Sequence, residues 1–358
     1  MGFLLHPANL NPRFDKTYWD LPYNNFNYSY IDVAVDQYGY CTLSYDRFGI
    51  GNSSHADPYT VVQAPAEISA LYQLNSMLRM GTLPTVPHAF NESGTIVNVG
   101  HSFGSQQSYA LAAMYPNVTD ALILTGFSFN GSALLPTVAG FNAKIARLNQ
   151  PLRFGSTDAA VAIDALSMIS NGSGISVPKA MSALGSLNLT TQDYTNLLQS
   201  TEIWDLIAGY NMMPAPIPQD LPTGYLTWSD AQNSQYDFIY PPGVDTNIFY
   251  YAEQSKQPFT VGELLTLGGT PATSPFAGPV QVVTGRQDSI YCAGDCLATG
   301  DPAMPNIPAG VGKYLPKSSN FSTYIPEDVG HGLNLHYGAK ATYQEIQGFL
   351  EANGIMAS

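Results

Sequence analysis

Charge is what this sequence has least of. Charged residues fill 11% of its 358 positions, less than half the roughly 25% of ordinary soluble domains. Only 13 are basic against 27 acidic, for a net charge of −14. Without a Lys/Arg cluster to neutralise phosphates, nucleic-acid binding is not expected. An anionic membrane surface would repel such a chain. No run of about 18 apolar residues occurs, so no membrane-spanning helix is expected either. Cysteine is scarce, at three. Cys292 and Cys296 are close enough to close a small loop, and a disulfide is the expected reading, since no further Cys or His stands beside them at zinc spacing. Cys41 lies in an apolar run and reads as a buried small side chain. His6, His55 and His88 lack acidic or Cys partners at ligand spacing. No metal and no other cofactor is therefore expected.

What is present is apolar and polar-neutral. Hydrophobic residues make up 45%, with 23 Tyr, 26 Pro and 32 Gly. That suffices for one large core carrying an insertion. Asn-x-Ser/Thr sequons stand at Asn27, Asn52, Asn91, Asn117, Asn130, Asn171, Asn188 and Asn320, roughly twice the chance expectation, as in a secreted glycoprotein. The segment Met1–His6 has neither the basic region nor the full apolar stretch of a signal peptide. An extracellular location therefore implies a leader upstream of this chain.

Short apolar runs at Gly2–Leu5, Cys41–Tyr45, Thr95–Val99, Ala121–Thr125 and Val280–Thr284 each end at a turn. They are rich in β-branched residues and too short for helices, as strands buried on both faces are. Helical patterns at Pro65–Met80, Ser102–Met114 and His336–Ala352 lie between or after them. Strand alternating with helix predicts a mostly parallel sheet flanked by helices. Between Asn130 and about Pro275 the alternation stops. Helical stretches at Leu134–Asn149, Asp158–Ile169 and Thr190–Tyr210 lead into the Pro-rich Met213–Pro222 and the aromatic Tyr225–Tyr251. The division that results is a core of residues 1–130 and 276–358 around a mainly helical insertion, 131–275.

The chemistry is concentrated in Val97-Asn98-Val99-Gly100-His101-Ser102-Phe103-Gly104. This is an apolar strand, then Gly-x-Ser-x-Gly, then a helix. A Ser at the tip of a sharp strand-to-helix turn needs small neighbours two residues away on each side, so that strand and helix can approach. The helix that follows aims its first N–H groups at a developing oxyanion.

With this elbow the chain resembles the α/β-hydrolase superfamily, in its Gly-His-Ser-x-Gly branch of serine hydrolases. Three further segments carry the resemblance. Asp46-Arg47-Phe48-Gly49-Ile50-Gly51-Asn52-Ser53 is similar to the loop after the fourth strand of that fold. Val282-Val283-Thr284-Gly285-Arg286-Gln287-Asp288 is similar to the strand and turn that present the acid, and Gly330-His331-Gly332 to the loop of the histidine. Composition and sequons are similar to those of secreted fungal members. The resemblance implies the α/β-hydrolase fold, with Ser102 as nucleophile, His331 as general base and Asp288 as its orienting acid, in the chain order the fold requires. Asp295 and Asp328 compete for the acid's role, and His336 competes with His331. His101 is expected to point to the opposite side of the turn and to pack there.

The oxyanion donors implied are the backbone N–H groups of Phe103 and Ala8. Relatives carry His-Gly-x at the second position, and this chain has His6-Pro7-Ala8, which restricts that loop. The strand leading to it begins directly after Met1, so the fold's first two strands are expected to be absent. Cys41–Tyr45 would then be an unprotected sheet edge. The insertion falls where the family places a cap. Its aromatic and Met residues (Trp204, Tyr210, Met212, Met213, Trp228, Tyr236, Phe238, Tyr240, Tyr250, Tyr251) suit an apolar pocket or the cap's own core. The expected partner is a small neutral ester, lactone or thioester, cleaved through an acyl-enzyme. The same scaffold also serves hydroxynitrile-lyase-like enzymes and inactive recognition modules.

Overall fold

A computed structural model of the chain describes residues 2–7, 16–84, 94–155, 190–192, 195 and 219–356. Strands β1 (Gly2–Pro7), β2 (Cys41–Tyr45), β3 (Thr95–His101), β4 (Ala121–Thr125), β8 (Val280–Val283) and β9 (Phe321–Tyr324) form one sheet in the order β2-β1-β3-β4-β8-β9. Every pairing in it is parallel. The five apolar runs are thus all strands. All five residues of β4 are buried, and they alternate between two cores. Ala121 and Ile123 face Tyr343, Ile346 and Leu350 of the last helix. Leu122 and Leu124 face Tyr109, Ala112 and Val311 on the other side. A strand covered on both faces has no polar position to offer, which is why its sequence reads as an unbroken apolar run.

The sixth strand, β9, had no such signature. Phe-Ser-Thr-Tyr is half-buried throughout, because it pairs only with β8 at the sheet's rim. At the opposite rim among the described residues lies β2, pairing with β1 alone. Cys41 there is only partly buried, packed against Leu78 and Ile96.

The flanking helices are α1 (Ala64–Arg79), α2 (Phe103–Met114) and α8 (Ala339–Ala352). The last begins three residues after the predicted start, leaving His336 outside it. In the insertion lie α3 (Leu134–Phe141), α4 (Ala231–Phe238), α5 (Thr246–Gln254) and α6 (Val261–Thr266). Strands β5 (Lys144–Ile145), β6 (Tyr225–Thr227) and β7 (Phe259–Thr260) form a small antiparallel sheet beside them. The helical pattern over Leu134–Asn149 is therefore interrupted. Asn142, at φ 44°, ends α3 in the left-handed region, and β5 follows. Asp158–Ile169 and most of Thr190–Tyr210 and Met213–Pro222 lie outside the described residues, as do Trp204, Tyr210, Met212 and Met213. No described helix is long and apolar enough to cross a membrane.

A buried ion cluster ties insertion to core. Arg47, 2% exposed, pairs with Glu67 of α1 at 3.1 Å and with Glu263 of α6. Glu263 also completes a capping box with Thr260 at the start of α6.

Candidate active site

Ser102 stands where β3 becomes α2, at φ 53° and ψ −114°, outside the regions a non-glycine residue favours. Its N–H bonds the Thr125 carbonyl of β4 at 2.8 Å, and its carbonyl accepts from Gln106 N at 3.1 Å. The strained residue is thereby held from both sides. Gly100 shows why the turn needs glycine: a Cβ there would lie 2.3 Å from the Gly104 carbonyl oxygen. The strand-to-helix approach inferred from the motif is the one observed. Phe103 is the first residue of α2 and is buried.

Asp288 and His331 follow β8 and β9, so all three residues sit beyond the carboxyl ends of parallel strands, where α/β sheets place their ligands. Asp288 is fully buried and caps a single helical turn, α7 (Ser289–Cys292). Its Oδ1 accepts from the N–H groups of Ile290 (2.9 Å) and Tyr291 (2.8 Å). Its Oδ2 lies 2.7 Å from His331 Nδ1. That contact assigns the ring proton to Nδ1 and leaves Nε2 as the base. Nε2 is buried and makes no hydrogen bond among the described residues, so the Ser102–His331 bond is not made in this state. Catalytic hydrogen bonds commonly tighten only when substrate is bound.

The competing residues lie elsewhere. Asp295 pairs with Arg286 at 3.6 Å, and Asp328 is exposed. His336 is buried but faces backbone. Its Nδ1 is 2.9 Å from the Gly332 carbonyl, while its Nε2 accepts from Tyr240 N (3.1 Å) and Gly330 N (3.0 Å). It therefore staples the loop that carries His331 to the insertion. Gly330 permits this, since a Cβ there would come within 2.8 Å of Tyr240 N.

The expectation for His101 is corrected. Its ring packs beside that of His331, 4.8 Å between centroids, and against Tyr18 at 4.9 Å. Burial, and then the neighbouring His331, push His101 well below the usual histidine range and keep it neutral.

In front of Ser102 opens a cavity of about 430 Å³, within the range of small-molecule sites. One wall comes from the core (Phe103, Ile290, Tyr291), the other from the insertion (Val138, Phe141, Phe238). Among the described residues, none of the lining side chains is charged. Of the insertion aromatics singled out in the sequence that are described, Phe238 alone lines it. Trp228 is fully buried in the insertion's own packing, its indole N–H donating to Glu253 at 2.7 Å. Ala8 lies outside the described residues, and so do Asn91, Asn171 and Asn188. Cys292 and Cys296 are joined by a disulfide at the end of α7. No group of three metal-ligating side chains occurs among the described residues.

Two residues at the nucleophile were missed. Gln106, one turn into α2 from Ser102, donates from Nε2 to the Tyr291 hydroxyl at 3.2 Å. Tyr291 is three residues beyond Asp288, and its hydroxyl is within hydrogen-bonding reach of Ser102. The only sequence signals were their offsets from Ser102 and Asp288, meaningful once those roles are assumed.

No family model and no curated protein matches this chain. Among solved structures, a methylesterase from Arabidopsis is similar at 13% identity and TM-score 0.48, covering 97% of this chain and 98% of its own. An epoxide hydrolase from Vigna radiata is similar at 15% and 0.47, with 98% and 91% covered. A thermophilic esterase from Thermogutta terrifontis is similar at 16% and 0.43, with 98% and 89% covered.

Proposed function

We propose that this protein is a serine hydrolase that cleaves a carboxylic ester, lactone or thioester of a neutral, moderately apolar compound through an acyl-enzyme. The observation that carries the reading is the strained Ser102 at an uncharged cavity, with the buried Asp288–His331 pair beside it. Turning about its χ1, Ser102 presents its hydroxyl to His331 Nε2, which takes the proton as Oγ attacks the carbonyl carbon. Asp288, anchored by two backbone N–H groups, holds the imidazole tautomer and stabilises the imidazolium. The backbone N–H groups of Phe103 and Ala8 receive the oxyanion. His331 returns the proton to the leaving oxygen, and water then releases the acid by the same steps. An anionic substrate finds no counter-charge among the described lining residues, and the whole chain carries only 13 basic side chains against 27 acidic ones, so a neutral one is favoured.

Ser102→Ala tests this. Hydrolysis of p-nitrophenyl esters should fall by about 10⁴–10⁶-fold, and labelling by a fluorophosphonate should vanish, with the thermal midpoint unchanged. Retention of more than about a tenth of the activity would refute the assignment. Labelling at Ser102 without acid released from any ester would favour the lyase reading.

The proposed location is extracellular. Asn27, Asn52, Asn117 and Asn320 are exposed and Asn130 is half-buried at the cavity, as attachment of a glycan requires. Expression through a eukaryotic secretory route followed by endoglycosidase should lower the mass. An unchanged mass would count against glycosylation.

A further inference from the structure

Tyr291 is held more firmly than a pocket wall needs. Its N–H donates to Asp288 Oδ1 at 2.8 Å, its carbonyl accepts from Ser128 Oγ at 2.8 Å, and the next residue is tied by the Cys292–Cys296 disulfide. Its ring lies against Phe127 at 5.6 Å and His331 at 5.7 Å. The turn that orients the acid therefore also fixes the phenol. An amide nitrogen can only donate, so the bond from Gln106 Nε2 uses an acceptor site on the phenolic oxygen. The phenol's own proton is then left for the cavity that Tyr291 and Ser102 both line. Burial, and then the nearby Asp288, push the phenol above the usual tyrosine range, so it remains a donor.

Strand order tells which reacting atom it would meet. Strand β1 lies on one side of β3, and β4, β8 and β9 lie on the other. Tyr291 follows β8 and His331 follows β9, so the phenol shares the histidine's side of the nucleophile. The general acid returns its proton there, and the alcohol departs there. We propose that Tyr291 is a catalytic residue whose hydroxyl donates a hydrogen bond to the alkoxy oxygen of the leaving group. This rests on the serine-esterase reading. In the step, the bond from the tetrahedral carbon to the alkoxy oxygen breaks and its electron pair stays on that oxygen. The proton on His331 Nε2 moves to the same oxygen, giving the free alcohol and the acylated Ser102. Tyr291 keeps its proton throughout.

The test is Tyr291→Phe assayed on esters of one acid with alcohols ranging from p-nitrophenol to methanol. The readout is kcat/KM, which reports acylation. The alkyl esters should lose about 10–100-fold, the worth of a hydrogen bond to a developing charge, and the p-nitrophenyl ester less than about threefold. A p-nitrophenolate needs little help to leave, so the dependence on leaving-group basicity should steepen. Gln106→Leu, which frees the phenol to turn, should give a weaker version of the same steepening. Equal losses across the series, or a gain in activity, would overturn the proposal. If Ser102→Ala stays active, the esterase reading itself fails. If it is dead while Tyr291→Phe acts evenly on all esters, only the role of Tyr291 fails.

Discussion

Asp288 in the core and Asp237 in the insertion are both fully buried, and their surroundings are opposite. Three donors converge on Asp288: two backbone N–H groups of α7 and the imidazole of His331. Neither oxygen of Asp237 has a partner among the described residues. It sits near the end of α4 against α3, where a Cβ on Gly140 would lie 2.7 Å from its Oδ1. Burial alone pushes its carboxyl up to about 8. The pair teaches that burial does not by itself make a carboxylate useful. An acid placed to orient a base needs donors arranged around it, and those come from strand ends and a helix turn. An acid without donors is instead a proton-dependent weak point.

The largest expected effect breaks the first half of this comparison. Asp288→Asn should lower kcat for ester hydrolysis by about 10⁴-fold, because the amide favours the wrong imidazole tautomer. Asp237→Asn and Asp295→Asn should each stay within about twofold. A large loss in Asp295→Asn with little in Asp288→Asn would move the acid to the loop closed by the disulfide.

Next comes the junction between the two regions. Arg47→Met leaves Glu67 and Glu263 buried without their cation, which should cost about 3–5 kcal/mol of stability in urea denaturation. A loss under about 1 kcal/mol would mean that the insertion is held to the core by apolar packing alone.

The smallest effect sharpens the other half. Asp237 has an ordinary carboxyl value of 3.8 and a folded value near 8, so the folded state holds the proton across that window. The stability this contributes is fully present below about pH 4 and is lost as pH rises towards 8. The thermal midpoint should therefore fall by roughly 3–6 °C more between pH 5 and 8 in the unaltered protein than in Asp237→Asn. Parallel curves would show that Asp237 is solvated.

Local pattern was enough for five of the core strands and for the strained turn at Ser102. Apolar runs covered on both faces, and two glycines around a serine, follow from sterics within a few residues, so they can be read directly. Strand β9 escaped because a rim strand is half-buried and carries no apolar run. Asn142 escaped because a left-handed residue inside a helical pattern costs too little to leave a mark. Asp288 was legible only through resemblance, since nothing local distinguishes it from Asp295, whereas the glycines flanking His331 already set it apart from His336.

Those choices belong to the tertiary structure. Asp288 differs from Asp295 because β8 and β9 are neighbours in the sheet, which brings two loops 43 residues apart to 2.7 Å. His336 became a staple because Gly332, Gly330 and Tyr240 present one carbonyl and two N–H groups to its ring. By itself the sequence determined five of the six strands of the main sheet and where the strained serine stands, because both depend on short-range sterics and burial. Which carboxylate pairs with which histidine, and which phenol shares the cavity with that serine, depends on contacts between distant segments, and only the packed sheet decides those.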